Sequence, residues 1–343
     1  MFGMLAERVK CPQSLSPSVD ALTKLLVSHQ LHARFGAKIA GADLVVLPAD
    51  PQARLPEADC ARVEVAFFSG DIFPDHSRQF FSAVRKAPQL KWLHAFNVGV
   101  DHPIYTELLA RGVRVTTSNG STAEPIAQTA IMGLLALARG FPRWLAGQRT
   151  RHWNPERKVL PPDLHTQTAI VIGLGRIGAE IARLARALGL KVIGIRRSPR
   201  NSGDPVDELH APAALPGLLP RCDWLVIACP LTPETRGLVD AQAFAALPKG
   251  ARVINVARGE IVIEPALIEA LKSGHLAGAF LDVFATEPLP PDSALWELPN
   301  VLVTPHNSAV AAGNDERVLE IFLANLVRWR SGAPLVNEVT SVT

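Results

Sequence analysis

The sequence has few of the residues that build disulfide frameworks or simple metal sites. Its 343 residues include four cysteines, Cys11, Cys60, Cys222 and Cys229, none of them in a C-x-x-C pair or beside ligand-spaced histidines. We therefore expect free thiols in a reducing compartment and no bound metal.

Long apolar runs and blocks of like charge are also scarce. The longest apolar run, AIMGLLALA at 130–138, is far shorter than a membrane span, and the N-terminal MFGMLAERVK lacks the apolar core of a secretion signal. The net charge is only +3 and arginines are scattered along the chain, which argues against a nucleic-acid partner. These absences predict a soluble, cytoplasmic protein without nucleic-acid or membrane partners. The length and the 48% hydrophobic content fit two globular domains.

What the sequence does contain is an alternation of short apolar strands and helices. Strands are predicted at 62–69, 90–95, 113–117, 168–172, 191–195, 224–228, 252–256, 278–282 and 301–303, and helices at 122–139, 176–188, 240–246, 264–272 and 314–330. This order predicts an α/β protein with doubly wound parallel sheets. The helix at 122–139, capped by Ser121 or Thr122, is apolar on almost every side, so we expect it to be buried, either inside the protein or at a subunit interface.

A glycine loop follows the predicted strand at 168–172. Gly173, Gly175 and Gly178 form G-x-G-x-x-G and open an alanine-rich helix, which is the context that a dinucleotide-binding loop requires. The first glycine allows a tight turn, the second lets the backbone approach a pyrophosphate, and the third lets helix and strand pack closely. A purely structural turn is the alternative interpretation.

The next strand ends in arginine where many dinucleotide-binding proteins have an acid. Arg196, Arg197, Ser198 and Arg200 lie there. An acid would bind the ribose hydroxyls of NAD, whereas arginine forms charge-assisted hydrogen bonds with a 2′-phosphate. The pattern therefore favours NADP(H) as cofactor, with NAD(H) as the second choice. The alternative is a solvated basic turn that does not contact the 2′ position of the cofactor's ribose.

Three polar residues each follow an apolar strand further along the chain. They are Arg258, Glu287 and His306. The carboxyl ends of parallel strands line the ligand crevice of an open sheet, so these side chains are expected to reach one site. Arginine can hold a carboxylate by two hydrogen bonds, histidine can exchange a proton near neutral pH, and glutamate can orient the imidazole. Taken singly, Arg258 or Glu287 would be explained by a surface salt bridge, and His306 by a helix-capping or core role.

These segments together resemble the D-isomer-specific 2-hydroxyacid dehydrogenases. The matching stretches are VGVD (98–101), GLGRIG (173–178), CDWLVIACPLTPETRGLVD (222–240), NVARGEIV (255–262), GAFLDVFATEPLP (278–290) and TPHNSA (304–309). The resemblance implies two Rossmann-like domains, of which the substrate domain is discontinuous. It comprises 1–117 and 313–343, and the dinucleotide-binding domain comprises 118–312. The resemblance also implies a homodimer joined through the helix at 122–139.

The resemblance further implies roles for individual residues. Arg258 would bind the substrate carboxylate and carbonyl oxygen, His306 would be the general acid/base with Glu287 as its partner, and the backbone N–H groups of Val98 and Gly99 would bind the carboxylate. Asp282 would hold the nicotinamide carboxamide. The remaining residues expected to contact the cofactor are Gly173, Gly175, Arg176, Ile177, Gly178, Arg196, Arg197, Ser198, Cys229, Pro230, Thr232 and Ala257.

Two positions depart from the commonest family pattern. Arg196 replaces the strand-end acid, as in the NADP-preferring glyoxylate/hydroxypyruvate reductases, and Gln128 stands where an acid is frequent. The first 60 residues resemble no motif. Phe68, His94, Phe96 and Trp296 are candidates for shaping the substrate pocket, although plain packing explains each of them as well.

The expected function is reduction of a small 2-oxoacid, such as glyoxylate or hydroxypyruvate, to the D-2-hydroxyacid. Small-molecule oxoacids and hydroxyacids are then the partners. A dinucleotide-sensing protein similar to the corepressors of this fold is the alternative from another functional class. Formate dehydrogenase, which pairs its histidine with glutamine, is opposed by Glu287.

Overall fold

The computed structural model describes residues 22–100, 102–153, 155 and 160–339. These residues form two compact units, one with residues 22–96, 102–116 and 338–339, the other with 97–100 and 117–337. Cys11 lies outside the described residues, and Cys60, Cys222 and Cys229 are buried free thiols.

The first unit is a sheet with helices between its strands. Its elements are β1 (Thr23–Val27), α1 (His29–Phe35), β2 (Ala42–Val46), α2 (Glu57–Arg62), β3 (Val65–Phe68), α3 (Ser77–Arg85), β4 (Trp92–Ala95), α4 (Pro103–Ala110) and β5 (Arg114–Thr117). The strand order is β2-β1-β3-β4-β5. Parallel pairing joins β1 to β2 and β3, and β3 to β4, with Phe68 opposite Ala95 at the carboxyl end.

The second unit has seven strands. Its elements are α5 (Ala123–Arg139), α6 (Phe141–Arg149), β6 (Thr168–Ile172), α7 (Arg176–Ala187), β7 (Lys191–Ile195), β8 (Glu208–His210), α8 (Leu215–Leu218), β9 (Trp224–Ile227), α9 (Ala241–Ala246), β10 (Arg252–Asn255), α10 (Glu264–Lys272), β11 (Gly278–Leu281), β12 (Val301–Val303) and α11 (Asn314–Arg330). The order is β12-β11-β10-β9-β6-β7-β8, and every pair is parallel.

Both faces of this second sheet are covered, because successive strand residues point to opposite sides. Ile170, Ile172 and Leu225 pack on one face, in the apolar cluster that also contains residues of α8, α9 and α10. Ala169 and Val171 pack on the other face, against α5 and α7. This arrangement confirms the doubly wound α/β prediction.

The predicted elements of the second unit agree closely with the structure. The strands at 168–172, 191–195 and 301–303 and the helices at 264–272 and 314–330 have the predicted bounds. The short β8 and α8 were not predicted, since three or four residues give no readable periodicity. Thr122 occupies the N-cap of α5 without a side-chain hydrogen bond, and Met132 is exposed on that helix, so the helix is not buried on every side within this chain.

The two compact units are divided at other positions than the expected domains, whose bounds stay a prediction. The chain changes unit at 116/117, one residue from the expected boundary. Residues 313–337, expected with the substrate domain, group with the second unit, where Arg317 Nε of α11 donates to the Ser121 carbonyl oxygen at 2.6 Å. The discontinuous substrate domain stays a prediction for this segment. In the described part of the chain, no helix is long and apolar enough to cross a membrane.

His94 lies in the core of the first unit instead of lining a pocket. It is fully buried, with Nδ1 2.7 Å from Thr116 Oγ1, and the same oxygen accepts a hydrogen bond from Trp92 Nε1 at 2.8 Å. The indole N–H of Trp92 can only donate, so it leaves the hydroxyl hydrogen of Thr116 free. That hydroxyl can therefore donate to Nδ1 of His94 when this nitrogen carries no proton. Burial lowers the pKa of His94 to about 3, which keeps the imidazole neutral.

We expect this histidine to make the protein less stable in acid. The unfolded chain binds a proton near pH 6.5 and the folded chain only near pH 3, so stability falls as pH drops below 6.5. The loss should be about 2 kcal/mol between pH 7.5 and pH 5. Urea unfolding at both pH values should show this loss in the wild type and in His32→Gln, an exposed control, but not in His94→Gln. An equal pH dependence in all three proteins would contradict the assignment.

Candidate active site

The glycine loop has the geometry that its spacing predicts. Gly173 has φ +91°, and a Cβ there would lie 2.5 Å from the Cys229 Cα. A Cβ on Gly178 would lie 1.9 Å from the Gly173 carbonyl oxygen, so loop and helix are in direct contact. At Gly175, the N-cap of α7, a Cβ would meet nothing within 4 Å. The loop therefore leaves space above Gly175, where backbone N–H groups at the helix start can bind phosphate.

Two of the other expected cofactor residues, Cys229 and Thr232, follow β9. Cys229 is buried shortly after β9, and burial raises the pKa of its thiol to about 11, so it is unreactive near neutral pH. Thr232 is fixed in a turn, with its N–H donating to Thr235 Oγ1 at 2.7 Å and its hydroxyl donating to Glu234 Oε2 at 2.7 Å. These contacts fix the turn that follows Cys229, the residue next to Gly173.

Three neighbouring strands end beside each other on the same edge of the sheet. Asn255, Leu281 and Val303 are opposite one another at the ends of β10, β11 and β12. Arg258 follows the first of these strands, Glu287 the second and His306 the third. The sheet order therefore places all three predicted side chains on adjacent connections.

Gly259 allows the first two of these connections to touch. A Cβ at this position would lie 1.8 Å from the Phe284 carbonyl carbon and 2.3 Å from the Ala285 nitrogen. Only glycine fits such an approach. Gly259 was not among the predicted site residues, although its place directly after Arg258 is visible in the sequence.

His306 and Glu287 form a hydrogen-bonded pair. His306 Nδ1 lies 2.8 Å from Glu287 Oε2, and Glu287 Oε1 accepts the Phe284 N–H at 3.0 Å. A carboxylate acceptor places the hydrogen on Nδ1 and leaves Nε2 as the free position of the ring. The side chains of the two residues are 46% and 36% exposed, so a substrate can reach the imidazole.

The backbone around His306 is held by a buried carboxylate. His306 has φ +53°, a left-handed conformation that is uncommon for a residue other than glycine. Asp282 is fully buried and accepts hydrogen bonds from Thr304 Oγ1 at 2.6 Å and from the N–H groups of Asn307 and Ser308 at 2.9 and 3.1 Å. Asp282 therefore positions the histidine loop. Its expected contact with the nicotinamide carboxamide stays a prediction.

Arg258 is partly buried and held close to its own strand. Its Nη1 donates to the Ala257 carbonyl oxygen at 2.8 Å, and its carbonyl oxygen accepts from Asn255 Nδ2 at 3.0 Å. No carboxylate is within ion-pair distance of Arg258 in the described part of the chain. The guanidinium thus keeps hydrogen-bond donors for an anionic ligand.

Arg196 is engaged in a way that the sequence did not predict. Its Nη1 and Nη2 bind both oxygens of Asp204, at 2.9 and 2.7 Å, and its Nε and Nη2 also donate to the carbonyl oxygens of Ser198 and Pro199. This guanidinium lowers the pKa of the Asp204 carboxyl. Arg197 and Ser198 are exposed on the loop that Arg196 organises. Asp204, the missed residue, is eight positions from its partner, where no spacing rule applies.

The backbone expected to bind substrate follows β4. Val98 is exposed, and Asn97 Nδ2 donates to the Gly99 carbonyl oxygen. Asp101 lies outside the described residues. Across the described parts of the chain, no cluster of three or more histidine, cysteine or carboxylate side chains fits a metal ion.

The comparisons with known proteins agree with this geometry. The family model of the D-isomer specific 2-hydroxyacid dehydrogenase NAD-binding domain matches residues 131–308. The chain belongs to the D-isomer specific 2-hydroxyacid dehydrogenase family. A glyoxylate reductase from Korarchaeum cryptofilum is 33% identical over 253 residues, which cover 72% of this chain and 75% of that protein.

Two solved structures of this family are also similar. The D-isomer specific 2-hydroxyacid dehydrogenase of Xanthobacter autotrophicus Py2, in complex with NADPH and MES, has a TM-score of 0.76 and 33% identity over 93% of this chain and 98% of that one. The NADPH-dependent glyoxylate/hydroxypyruvate reductase of Sinorhizobium meliloti, in complex with NADP and sulfate, has a TM-score of 0.74 and 31% identity over 92% and 98%. The chain is thus an oxidoreductase of this dehydrogenase family with a nicotinamide dinucleotide as cofactor.

Proposed function

We propose that this dehydrogenase reduces a small 2-oxoacid of the glyoxylate or hydroxypyruvate type to the D-2-hydroxyacid, with NADPH. The observation that carries the proposal is the His306–Glu287 pair, which follows β12 and β11, in the sheet where β11 also pairs with β10, the strand before Arg258, and which also bears the glycine loop. The cofactor supplies the hydride when it is bound.

The protein's own part in the reaction is proton transfer and charge stabilisation. Because Nδ1 of His306 is bonded to Glu287, the proton for the substrate's carbonyl oxygen leaves from Nε2. Glu287 stabilises the imidazolium before that transfer and fixes the plane of the ring. Asp282 maintains the left-handed loop, so the ring does not have to be reoriented in each turnover.

Arg258 and the segment at 97–99 recognise the other end of the substrate. A guanidinium can bind a carboxylate through two parallel hydrogen bonds and can also stabilise the negative charge that develops on the carbonyl oxygen. We assign the remaining contacts to the N–H groups of Val98 and Gly99. The exposure of Val98 supports this, because it leaves the segment accessible to a ligand.

NADPH is preferred through Arg197 and Ser198 in this proposal. Both are exposed, whereas Arg196 is occupied by Asp204 and by two carbonyl oxygens of the same loop. An exposed guanidinium and hydroxyl can bind a 2′-phosphate without breaking an existing ion pair. The role of Arg196 is then to shape the loop, and the solved relatives with bound NADPH and NADP support the choice of cofactor.

Replacing Arg197 by alanine should therefore separate the two cofactors. We expect kcat/KM for NADPH to fall about 10- to 100-fold, the value of a hydrogen bond to a charged group, with kcat/KM for NADH nearly unchanged. Arg196→Ala should weaken both cofactors alike, because it loosens the loop. Steady-state kinetics with both cofactors checks this. Loss of the NADPH preference in Arg196→Ala alone would assign the 2′-phosphate to Arg196 instead.

The proposed reaction is tested by following NADPH and NADH oxidation with glyoxylate, hydroxypyruvate and pyruvate. Turnover with NADPH preferred, and a D-hydroxyacid product on chiral chromatography, supports it. Tight NADPH binding without turnover of any oxoacid would favour a dinucleotide-sensing protein. The hydrogen bond between His306 and Glu287, on connections beside that of Arg258, favours the enzyme.

We also propose a cytoplasmic homodimer. Members of this family are typically dimeric, and the α6 region exposes Phe141, Trp144 and Trp153, the last with 92% of its surface accessible. Large exposed aromatic surfaces of this kind mark protein interfaces. Analytical ultracentrifugation should give twice the mass of the 36.9 kDa chain.

A further inference from the structure

Arg196 is part of an ion pair that the proposed reaction does not use. The Gly173 N–H donates to the Ile195 carbonyl oxygen at 2.9 Å, so Arg196 follows directly beside the glycine loop. In dinucleotide-binding folds, the residue at this strand end contacts the ribose of the adenosine half, which carries the 2′-phosphate in NADP(H). Arg196 is therefore placed next to that phosphate site, but its donors are bonded to groups of its own loop.

The ion pair between Arg196 and Asp204 is bidentate and shielded from solvent. Only 16% of the Arg196 side chain and 9% of the Asp204 side chain are exposed. Arg196 and, to a smaller extent, the Asn201 N–H at 2.7 Å lower the pKa of the Asp204 carboxyl, so this group is charged at neutral pH. A guanidinium binds carboxylate and phosphate through the same two parallel hydrogen bonds. Asp204 thus occupies the donors that a 2′-phosphate would use.

The turn around Asp204 has hydrogen bonds that do not require its negative charge. The Asp204 N–H donates to the Asn201 carbonyl oxygen at 3.1 Å, and the Val206 N–H donates to the Asp204 carbonyl oxygen at 2.9 Å. Arg200 Nη2 donates to the Val206 carbonyl oxygen at 2.9 Å. A neutral amide in place of the carboxylate can still accept one of the existing hydrogen bonds. The turn can therefore form without the charge, which leaves the charge to act on Arg196.

Arg197 has different surroundings from those of Arg196. It is exposed, and it lowers the pKa of the Glu234 carboxyl, on which the Thr232 hydroxyl at 2.7 Å has the larger effect. Arg197 is therefore near the turn that follows β9. Because β6, which bears the glycine loop, lies between β9 and β7, Arg197 is directed across that loop. Arg196 is instead held by Asp204, in the segment that leads to β8.

We propose that Asp204 is an intramolecular competitor of the cofactor's 2′-phosphate and thereby limits the preference for NADPH. Its carboxylate holds Arg196, so the 2′-phosphate is bound by Arg197 and Ser198. Removing the charge of Asp204 releases the Arg196 guanidinium, which then adds a second cation at the same phosphate. The inference rests on the proposed preference for NADPH and makes Asp204 a residue that sets cofactor selectivity.

The test compares the binding of 2′,5′-ADP and 5′-AMP, which differ only in the 2′-phosphate, to the full-length protein by calorimetry. Asp204→Asn should bind 2′,5′-ADP about tenfold more tightly than the wild type, the effect of one added charge-assisted hydrogen bond, and 5′-AMP within about twofold. The ratio of kcat/KM for NADPH to that for NADH should rise by the same factor. Asp204→Ser, a second neutral variant with an oxygen that can accept from Asn201, should show the same gain, and Asp204→Glu, which keeps the charge, should not.

Asp207→Asn provides the matched control. It removes the same charge three residues further along, but Asp207 is paired with Arg186 at 3.2 Å, in the last turn of α7. That turn is about 15 Å along the helix from the first turn, which faces the glycine loop. Asp207→Asn should therefore leave the affinity for both nucleotides unchanged. The double variant Arg196→Ala/Asp204→Asn should show no gain over Arg196→Ala, because it has no guanidinium to release.

The outcomes separate this inference from the proposed cofactor preference. If the wild type favours 2′,5′-ADP over 5′-AMP and Asp204→Asn binds it equally or more weakly, the inference is wrong and the preference for NADPH stands. An equal gain in Asp207→Asn would also contradict it, because net charge alone would then be the cause. A wild type that binds both nucleotides alike, with a gain for 2′,5′-ADP in Asp204→Asn, would support the inference and contradict the NADPH preference. No discrimination by either protein would contradict both.

Discussion

Replacing His306 by glutamine should lower kcat for 2-oxoacid reduction by about 10²- to 10⁴-fold, the range of a lost general acid. Glutamine can still donate to Glu287 but cannot release a proton to the substrate. NADPH binding should be retained, because the glycine loop follows another strand of the sheet. Pre-steady-state kinetics should show that the loss is in the chemical step.

A second histidine–glutamate pair in the same unit provides the matched control. His210 Nε2 lies 3.1 Å from Glu208 Oε2, in the strand at the edge of the sheet. Glu208 also binds Arg221 and Lys191, which together with His210 lower its pKa to about 2. His210→Gln should leave kcat unchanged. Equal activity of His306→Gln and the wild type would remove His306 as proton donor, and equal losses in both variants would indicate a general effect on folding.

The locations of His306 and Glu287 were predictable because each residue comes after a strand that can be recognised in the sequence. Each apolar strand of the second unit has a clear beginning and end in the sequence, so the residue types directly after it could be assigned to one edge of a parallel sheet. That assignment did not require the conformation of the chain between Glu287 and His306. Their hydrogen bond then follows from β11 and β12 being adjacent.

What could not be predicted depends on contacts between residues with no periodic relation. The pairing of Arg196 with Asp204 is an example, since an arginine at a strand end has the same sequence appearance whether its guanidinium is exposed or bound. His94 is another, because a histidine in an apolar strand can face a pocket or the core. Only the positions of Thr116 and Trp92 decide that it is in the core.

The arrangement of the aromatic residues in the first unit could be predicted only in part. Phe68 and Phe96 were candidates for shaping the substrate pocket, whereas Phe73 lies in a connection whose conformation the sequence does not specify. Its exposure follows from the turn at 70–72 and from the packing of α3, which buries Phe80 instead. Side chains on connections depend on tertiary packing more than on local pattern.

Substitutions in the glycine loop should give the second large effect, a loss of NADPH affinity. Two of its glycines are needed for different reasons. A Cβ on Gly175 meets nothing within 4 Å, and its φ of −79° and ψ of −163° suit alanine. Gly175→Ala should therefore keep the stability of the wild type or gain about 0.4–1 kcal/mol. NADPH affinity should fall about tenfold or more, since the methyl group takes the space that the pyrophosphate needs.

Gly178→Ala should lower both the stability of the protein and its affinity for NADPH. Its Cβ would be 1.9 Å from the Gly173 carbonyl oxygen, and neither atom can move without distorting the loop. We expect a loss of about 1–3 kcal/mol in the free energy of unfolding, together with weaker NADPH binding. Gly217→Ala, at an open position in α8, should leave NADPH binding unchanged and, like Gly175→Ala, keep or slightly raise the stability. Calorimetric binding and thermal unfolding of the three variants check this pattern. Wild-type NADPH affinity in a stable Gly175→Ala protein would show that the cofactor does not approach the backbone there, because the free space is the property that distinguishes Gly175 from Gly178 in this loop.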